Sequence, residues 1–309
     1  MQYRKLLIVM VATVAALFIF AMPAKAVDGS TSISISPLTF DLAANPGDTV
    51  TNELIVRNSG TDPVTIAVET QDFVATGEEG EVTLTDDKST YSLASWVQVD
   101  MGQFTLEAGK QQRVKFEIRV PYNAEPGGHY ASVYAHISPT IGNATTGSGV
   151  GQKIGSLLLL KVAGVTDETA DVETFKTTQN IFEHGPVDFN IRIKDTGSVH
   201  IKPKGIIAIT DIFGKKVADV TVDQRNVLPG AIRHMTATWT DVPMFGKYTA
   251  TLLTYYGTDN KQLSAATTFW IIPWKVLLVW VGVIILAAVV IWLLRDRIKS
   301  AIQAFIKHK

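Results

Sequence analysis

The stretch Arg113-Val-Lys-Phe-Glu-Ile-Arg-Val120 alternates without a break: Val114, Phe116, Ile118 and Val120 fall on one side, Arg113, Lys115, Glu117 and Arg119 on the other. A period of two places successive side chains on opposite faces of a strand, so this segment is a β-strand with one face in a core and one in water. The same reading extends outward to Ser32–Phe40, Val50–Arg57, Val64–Glu69, Tyr130–Ile137 and Leu157–Val162. Turn residues separate them: Pro46-Gly47, Ser59-Gly60, Ala108-Gly109 and Pro126-Gly127-Gly128. Helical periodicity is scarce between the strands. Short strands punctuated by turns, in a chain rich in Thr, Val, Ile, Gly and Ser, predict an all-β antiparallel sandwich rather than a parallel α/β sheet.

The second half repeats the plan. Leu54-Ile-Val-Arg-Asn-Ser-Gly60 matches Ile191-Arg-Ile-Lys-Asp-Thr-Gly197, an alternating strand closed by an Asx and hydroxyl turn ending in glycine. Gly109 matches Gly230, and each is followed by a strand and a proline. Gly128-His-Tyr130 matches Gly246-Lys-Tyr248, each opening a strand. The offsets are 137, 121 and 118 residues, so the first copy is longer mainly between Gly60 and Gly109. There Asp72, Glu78, Glu79, Glu81, Asp86 and Asp87 gather around glycines, and the expectation is a solvated insertion. Its acids lack the alternating spacing that surrounds a calcium ion. The Gly/Ser/Thr-rich stretch 139–153 reads as a long hairpin loop. Thr210–Val217 reads as a tight hairpin turning at Gly214.

Both ends are hydrophobic. Residues 1–26 carry Arg4 and Lys5, an apolar run from Leu6 to Phe20, and Ala24-Lys25-Ala26, which describes a cleavable signal peptide. Val276–Leu294 holds no charge over nineteen residues, enough at about 1.5 Å each to cross roughly 30 Å of hydrocarbon. Trp274, Lys275, Trp292, Arg295 and Arg297 flank it as membrane-interface residues, and the cationic excess over 296–309 marks the cytoplasmic side. The predicted organisation is a signal peptide (1–26), two sandwiches (27–166 and 167–272), a transmembrane helix (273–295) and a basic tail (296–309). The tail's apolar spacing fits an amphipathic helix on an anionic leaflet, and equally a frayed, solvated stop-transfer tail.

Composition narrows the chemistry. With no cysteine there is no disulfide framework and no thiolate, and a net charge of −1 gives no electrostatic footprint for nucleic acid. No nucleophile elbow, zinc-protease motif, P-loop or dinucleotide fingerprint occurs. His129 and His136, an odd number of positions apart, point to opposite strand faces, and His184, His200 and His234 stand isolated. Trp96 is expected in the core rather than as a sugar-stacking ring. Tyr130, Ser132, Tyr134 and His136 form an aromatic–polar strip that reads as an ordinary sandwich face. No catalytic, cofactor or metal residues are assigned, and neither an enzyme activity nor a small-molecule substrate is expected.

The chain resembles the WxL-interacting proteins of Gram-positive bacterial surfaces. The resemblance rests on Ser36-Pro37, Asn45-Pro-Gly47, Leu54–Asn58, Pro63-Val-Thr-Ile66, Ala108-Gly109, and Pro121 followed by Gly127-Gly128. It implies two tandem Ig-like sandwiches and one C-terminal transmembrane helix. It also implies peptidoglycan binding by the first domain and binding of host or partner proteins by the second. The expected function is therefore a membrane-anchored surface binding or scaffold protein contacting cell-wall polymer or a partner surface protein. The alternative is a chaperone-like subunit of an exported assembly. That alternative requires a long exposed edge strand and a basic carboxylate-anchoring site, and the sequence identifies neither.

Overall fold

A computed structural model describes residues 32–138 and 153–306, with side chains as far as Arg295. The expected signal peptide with Ala24 and Ala26, residues 139–152 of the predicted loop, and the Arg297 side chain lie outside the described parts.

The first domain contains β1 (Ile33–Ser36), β2 (Thr39–Ala44), β3 (Thr49–Asn58), β4 (Val64–Thr76), β5 (Glu81–Thr85), β6 (Val97–Val99), β7 (Gln103–Leu106), β8 (Gln111–Arg119), β9 (Gly127–Ile137) and β10 (Lys153–Val162). One sheet runs β1-β3-β8-β6; the other runs β2-β10-β9-β4-β5, with β7 beside β4. The second domain contains β11 (Ala170–Thr177), β12 (Ile181–Phe182), β13 (Val187–Asp195), β14 (Lys204–Asp211), β15 (Lys216–Val222), β16 (Ile232–Trp239), β17 (Gly246–Tyr256) and β18 (Lys261–Ile271). Its sheets run β11-β13-β16 and β12-β18-β17-β14-β15. Both domains are Ig-like sandwiches.

The alternation in Arg113–Val120 does what its period dictates. Val114, Phe116 and Ile118 are buried, and Arg113, Lys115 and Arg119 are exposed. They pack with Leu54 and Val56 from β3 against Ala131, Val133, Leu158 and Leu160 of the facing sheet. Fully burying one such side chain stabilises the fold by roughly 1.5–3 kcal/mol.

Two expectations are corrected. Ser32–Phe40 is not one strand: it divides at Pro37, which has no N–H to continue the ladder. β1 pairs antiparallel with β3, whereas β2 crosses to the other sheet and runs parallel to β10. The second domain makes the same exchange, with β11 on β13 and β12 parallel to β18. The sandwiches are therefore antiparallel except for one parallel pair each.

β9 is buried along nearly its whole length, on both faces. Ala131, Val133 and Ala135 enter the first core. On the outer face Tyr130 packs with Phe73 and Leu159, and Leu228 of the second domain leans on that group. Covering the outer face of a central strand is how the two domains meet.

The second core surrounds Phe189, Ile191, Ile207, Leu252 and Phe269. At its side Gly205 on β14 lies so close to β17 that an added Cβ would run into the Leu253 carbonyl oxygen and come within 2.7 Å of Thr254 Cα. Backbone cannot yield as a side chain can. Gly205→Ala should lower stability by about 1–3 kcal/mol through overpacking. A thermal melt of the full chain checks this, and an unchanged midpoint would disprove the close approach.

After Ile272, whose N–H donates to the Phe182 carbonyl at 2.8 Å, α1 (Trp274–Ile306) begins. Its span Trp274–Arg295 is long and apolar enough to cross a membrane, and its apolar side chains have no protein covering. Lys275 lies 2.7 Å from Glu183 and 5.5 Å from the Trp274 ring centroid, tying the helix start to the second domain. Arg295 sits 5.5 Å from the centroid of Trp292.

Candidate binding site at the domain seam

Three clusters join the sandwiches. The first turns on Tyr130, whose buried hydroxyl accepts the His200 backbone N–H at 2.8 Å. The His200 ring stands edge-on to Tyr130 and places Nε2 3.2 Å from Asp41. Burial pushes the Tyr130 hydroxyl pKa up, so it stays protonated. The hydrogen bond to His200 holds the Asp41 carboxyl below its ordinary value.

The second cluster lies along the connection. Ser198 and Asp167 exchange hydrogen bonds, and Gly128 N–H donates to the Ser198 carbonyl at 2.9 Å. Glu168, buried, pairs with Lys161 and accepts the Thr258 N–H at 2.6 Å. Burial raises the Glu168 pKa but is outweighed by Lys161 and Thr258, leaving it lowered.

The third cluster overturns the reading of the acidic segment as a solvated insertion. Residues 72–85 belong to the β4–β5 hairpin, whose tip rests on β13 and β16. Glu78 accepts two bonds from Arg192, 2.7 Å from Nε and 2.5 Å from Nη2. The Glu78 carbonyl accepts the His234 N–H at 2.8 Å, and His234 Nδ1 lies 2.6 Å from Glu79. A planar guanidinium fork suits a carboxylate in this way. Arg192 depresses the Glu78 pKa and has its own raised. Since the folded-state value is lowered, the clamp is intact above the ordinary carboxylate range and loosens only as Glu78 gains a proton below it. His200 and His234, isolated in sequence, are therefore seam residues.

Between these clusters lies a cavity of about 300 Å³, walled by Val82, Leu157 and Leu159 and floored by Gln224, Arg225, Asn226 and Arg233. Gly80 presses directly on the Arg233 guanidinium, a contact only a residue without Cβ allows. Arg233 Nε and Asn226 Oδ1 are buried without a hydrogen-bond partner. Burial lowers the Arg233 pKa, and repulsion from Arg225 adds to this, against the opposing charges of Glu79 and Glu81. An orphaned donor and an orphaned acceptor on residues of one lining leave hydrogen-bonding capacity there that the protein itself does not use.

The remaining sequence candidates fall as follows. Gly60 and Gly197 donate their N–H to Asn58 and Asp195 at 2.9 and 2.8 Å. Gly109 and Gly230 close turns at positive φ. Gly246 lies beneath the Tyr248 hydroxyl as Gly128 lies beneath that of Tyr130. Of the six, Gly128 and Gly197 reach the seam. His129 sets its ring nitrogens 3.2 and 2.9 Å from the Ser92 and Glu125 carbonyls, and Trp96 packs against the core beside it. In the tyrosine strip, Tyr134 donates to Glu69 at 2.6 Å, while Tyr130 forms the seam's pivot. Among the described residues no His, Asp and Glu cluster is arranged to hold a metal ion.

No protein-family model matches the chain, and no curated protein matches it in sequence. Among solved structures it is similar to the class 5 fimbriae chaperone CfaA, at 13% identity over 77% of this chain and 99% of that one, with a TM-score of 0.40. It is similar to the E. coli chaperone DraB at 13% identity over 78% and 95%, with a TM-score of 0.36. It is similar to the periplasmic chaperone SfaE at 9% over 78% and 100%, with a TM-score of 0.34. Likeness at this level says nothing about what the chain binds.

Proposed function

We propose that the chain is a non-enzymatic, membrane-anchored cell-surface protein that binds or scaffolds cell-wall polymer, such as peptidoglycan, or a partner surface protein. The observation that carries this reading is the seam cavity of about 300 Å³, whose lining includes Arg233 and Asn226, with Arg233 Nε and Asn226 Oδ1 buried without a hydrogen-bond partner. In this reading residues 1–26 direct export, α1 holds the sandwiches outside the membrane with residues 296–309 in the cytoplasm, and the chain is of the WxL-interacting kind. Many copies in one membrane add avidity to weak contacts.

The test uses the full chain in proteoliposomes, mixed with purified wall sacculi or with surface-protein extract. Arg233→Met removes a charged donor but keeps an unbranched side chain in the lining. A charge-assisted hydrogen bond is worth roughly 1.5–3 kcal/mol, so retention of the ligand should fall about tenfold or more while the melting midpoint holds. Equal retention by variant and parent removes the seam cavity as the binding site. Retention of neither material favours the chaperone-like alternative.

A further inference from the structure

The two sandwiches differ at one strand position. In the first domain, β6 adds a fourth strand beside β8 and closes that flank: β1-β3-β8-β6. In the second domain the corresponding sheet stops at β16, β11-β13-β16, and among the described residues no strand follows. The facing sheet ends at β15. The flank therefore presents two strand edges, β15 and β16, on either side of a groove of about 610 Å³. Unpaired edges are templates for pairing with another chain.

The backbone of β16 is set for this. His234 donates its N–H to Glu78 rather than to β13, so in the alternating antiparallel ladder His234, Thr236 and Thr238 all turn their N–H and C=O groups to the free edge. At His234 the edge is already taken by the turn of the β4–β5 hairpin, through the Glu78 carbonyl. At Thr236 and Thr238 it is open. Trp239, which forms part of the groove wall, is 3% exposed, yet its Nε1–H has no acceptor. The groove's charged lining is wholly acidic: Asp219, Asp223 and Asp241. Lys216 pairs with Asp219 from outside and Arg225 approaches Asp223 at 3.7 Å, while Asp241 has no cationic partner among the described residues.

We propose that the β15–β16 groove of the second domain accepts an extended segment of a partner protein, flanked by lysine or arginine, as an added strand of the β16 sheet. This surface is separate from the seam cavity and does not depend on it. Main-chain bonds to Thr236 and Thr238 supply affinity, and the aspartates select basic flanks.

The experiment uses the full chain in nanodiscs and two synthetic decapeptides of alternating Thr and Val, one flanked by lysines and one by aspartates. Amide hydrogen exchange is followed over 216–222 and 232–240. The lysine-flanked peptide should slow exchange at Thr236 and Thr238 by about tenfold or more, with no effect at the β4–β5 hairpin, and added salt should weaken it. Thr238→Pro removes one outward N–H at an edge where proline is tolerated, and it should abolish the protection. Asp219→Asn combined with Asp241→Asn, which leaves the backbone untouched, should abolish the preference between the peptides. Equal protection by both peptides, or protection by neither, overturns the proposal, as does protection at Thr236 that survives Thr238→Pro or a preference that survives the double asparagine variant. Slow exchange at Thr236 and Thr238 in the free protein, with sedimentation as a dimer, also overturns it by assigning the edge to a second copy.

Discussion

Phe269→Ala should destabilise the second domain by about 3–5 kcal/mol, the usual cost of emptying a buried aromatic site. Phe269 is fully buried on β18 and is the hub of a ring cluster. Phe182 meets it edge-on at 5.9 Å, Phe189 at 5.9 Å and Trp239 at 6.3 Å, while Tyr248 stacks at 5.9 Å. These neighbours come from β12, β13, β16 and β17, so both sheets lose a common partner, and a rigid strand framework cannot collapse into the space. A domain's whole stability is about 5–15 kcal/mol, so the loss is a large fraction of it. Denaturant unfolding followed by tryptophan fluorescence reads the change. Phe213→Ala at the exposed β14–β15 turn is the control, expected within about 0.5 kcal/mol of the parent. If the two variants unfold alike, the ring cluster is not the centre of this core.

The cluster also shows what could be read from the sequence and what could not. Alternation locates a strand and its buried face from local residues alone. Thus Val114, Phe116 and Ile118 are legible as core, and Phe189, Ile191 and Ile193 likewise. The division at Pro37 was not legible, because β2 is held by β10, more than a hundred residues later in the chain. The seam was legible in none of its parts. Glu78 and Glu79 look like solvated charges in a glycine-flanked insertion, and their partners Arg192 and His234 look like the polar faces of strands. Only folding places them together, 114 and 155 positions apart. Tyr130 was visible as part of a polar strip, but not His200 as its partner. The vacant strand position on the second domain is a difference between two sheets, and the matching glycine landmarks of the two halves conceal it.

The same pair of halves yields the last prediction. Asn58 and Asp195 occupy matching positions, each fully buried and each accepting the N–H of a glycine two residues on. Asn58 also spends its amide: Nδ2 donates to the Asp62 and Leu106 carbonyls at 2.8 and 3.0 Å. Asp195 has no such donor when ionised, and its Oδ2 is buried without a partner. Burial, aided by repulsion from Asp167 and Glu168 and opposed by the Gly197 and Ile201 N–H groups, pushes the carboxyl up to about 7. Because the folded-state value lies above the unfolded one of 3.8, the native state holds a proton that the unfolded chain releases. Stability therefore falls as pH rises from about 4 to about 7 and levels off above that. At about 1.4 kcal/mol per pKa unit the full penalty is on the order of 4 kcal/mol. Asp195→Asn keeps the acceptor for Gly197 and removes the ionisation. It should raise stability by about 2–4 kcal/mol at pH 8, by progressively less toward pH 5, and by almost nothing at pH 3.5, where the carboxyl is neutral in the folded state and mostly neutral in the unfolded one. Thermal melts of parent and variant across that range measure the difference directly. A gain that is flat with pH would mean the amide acts through new hydrogen bonds alone. A loss at pH 8 would mean that the buried aspartate is held ionised by a partner in the folded protein.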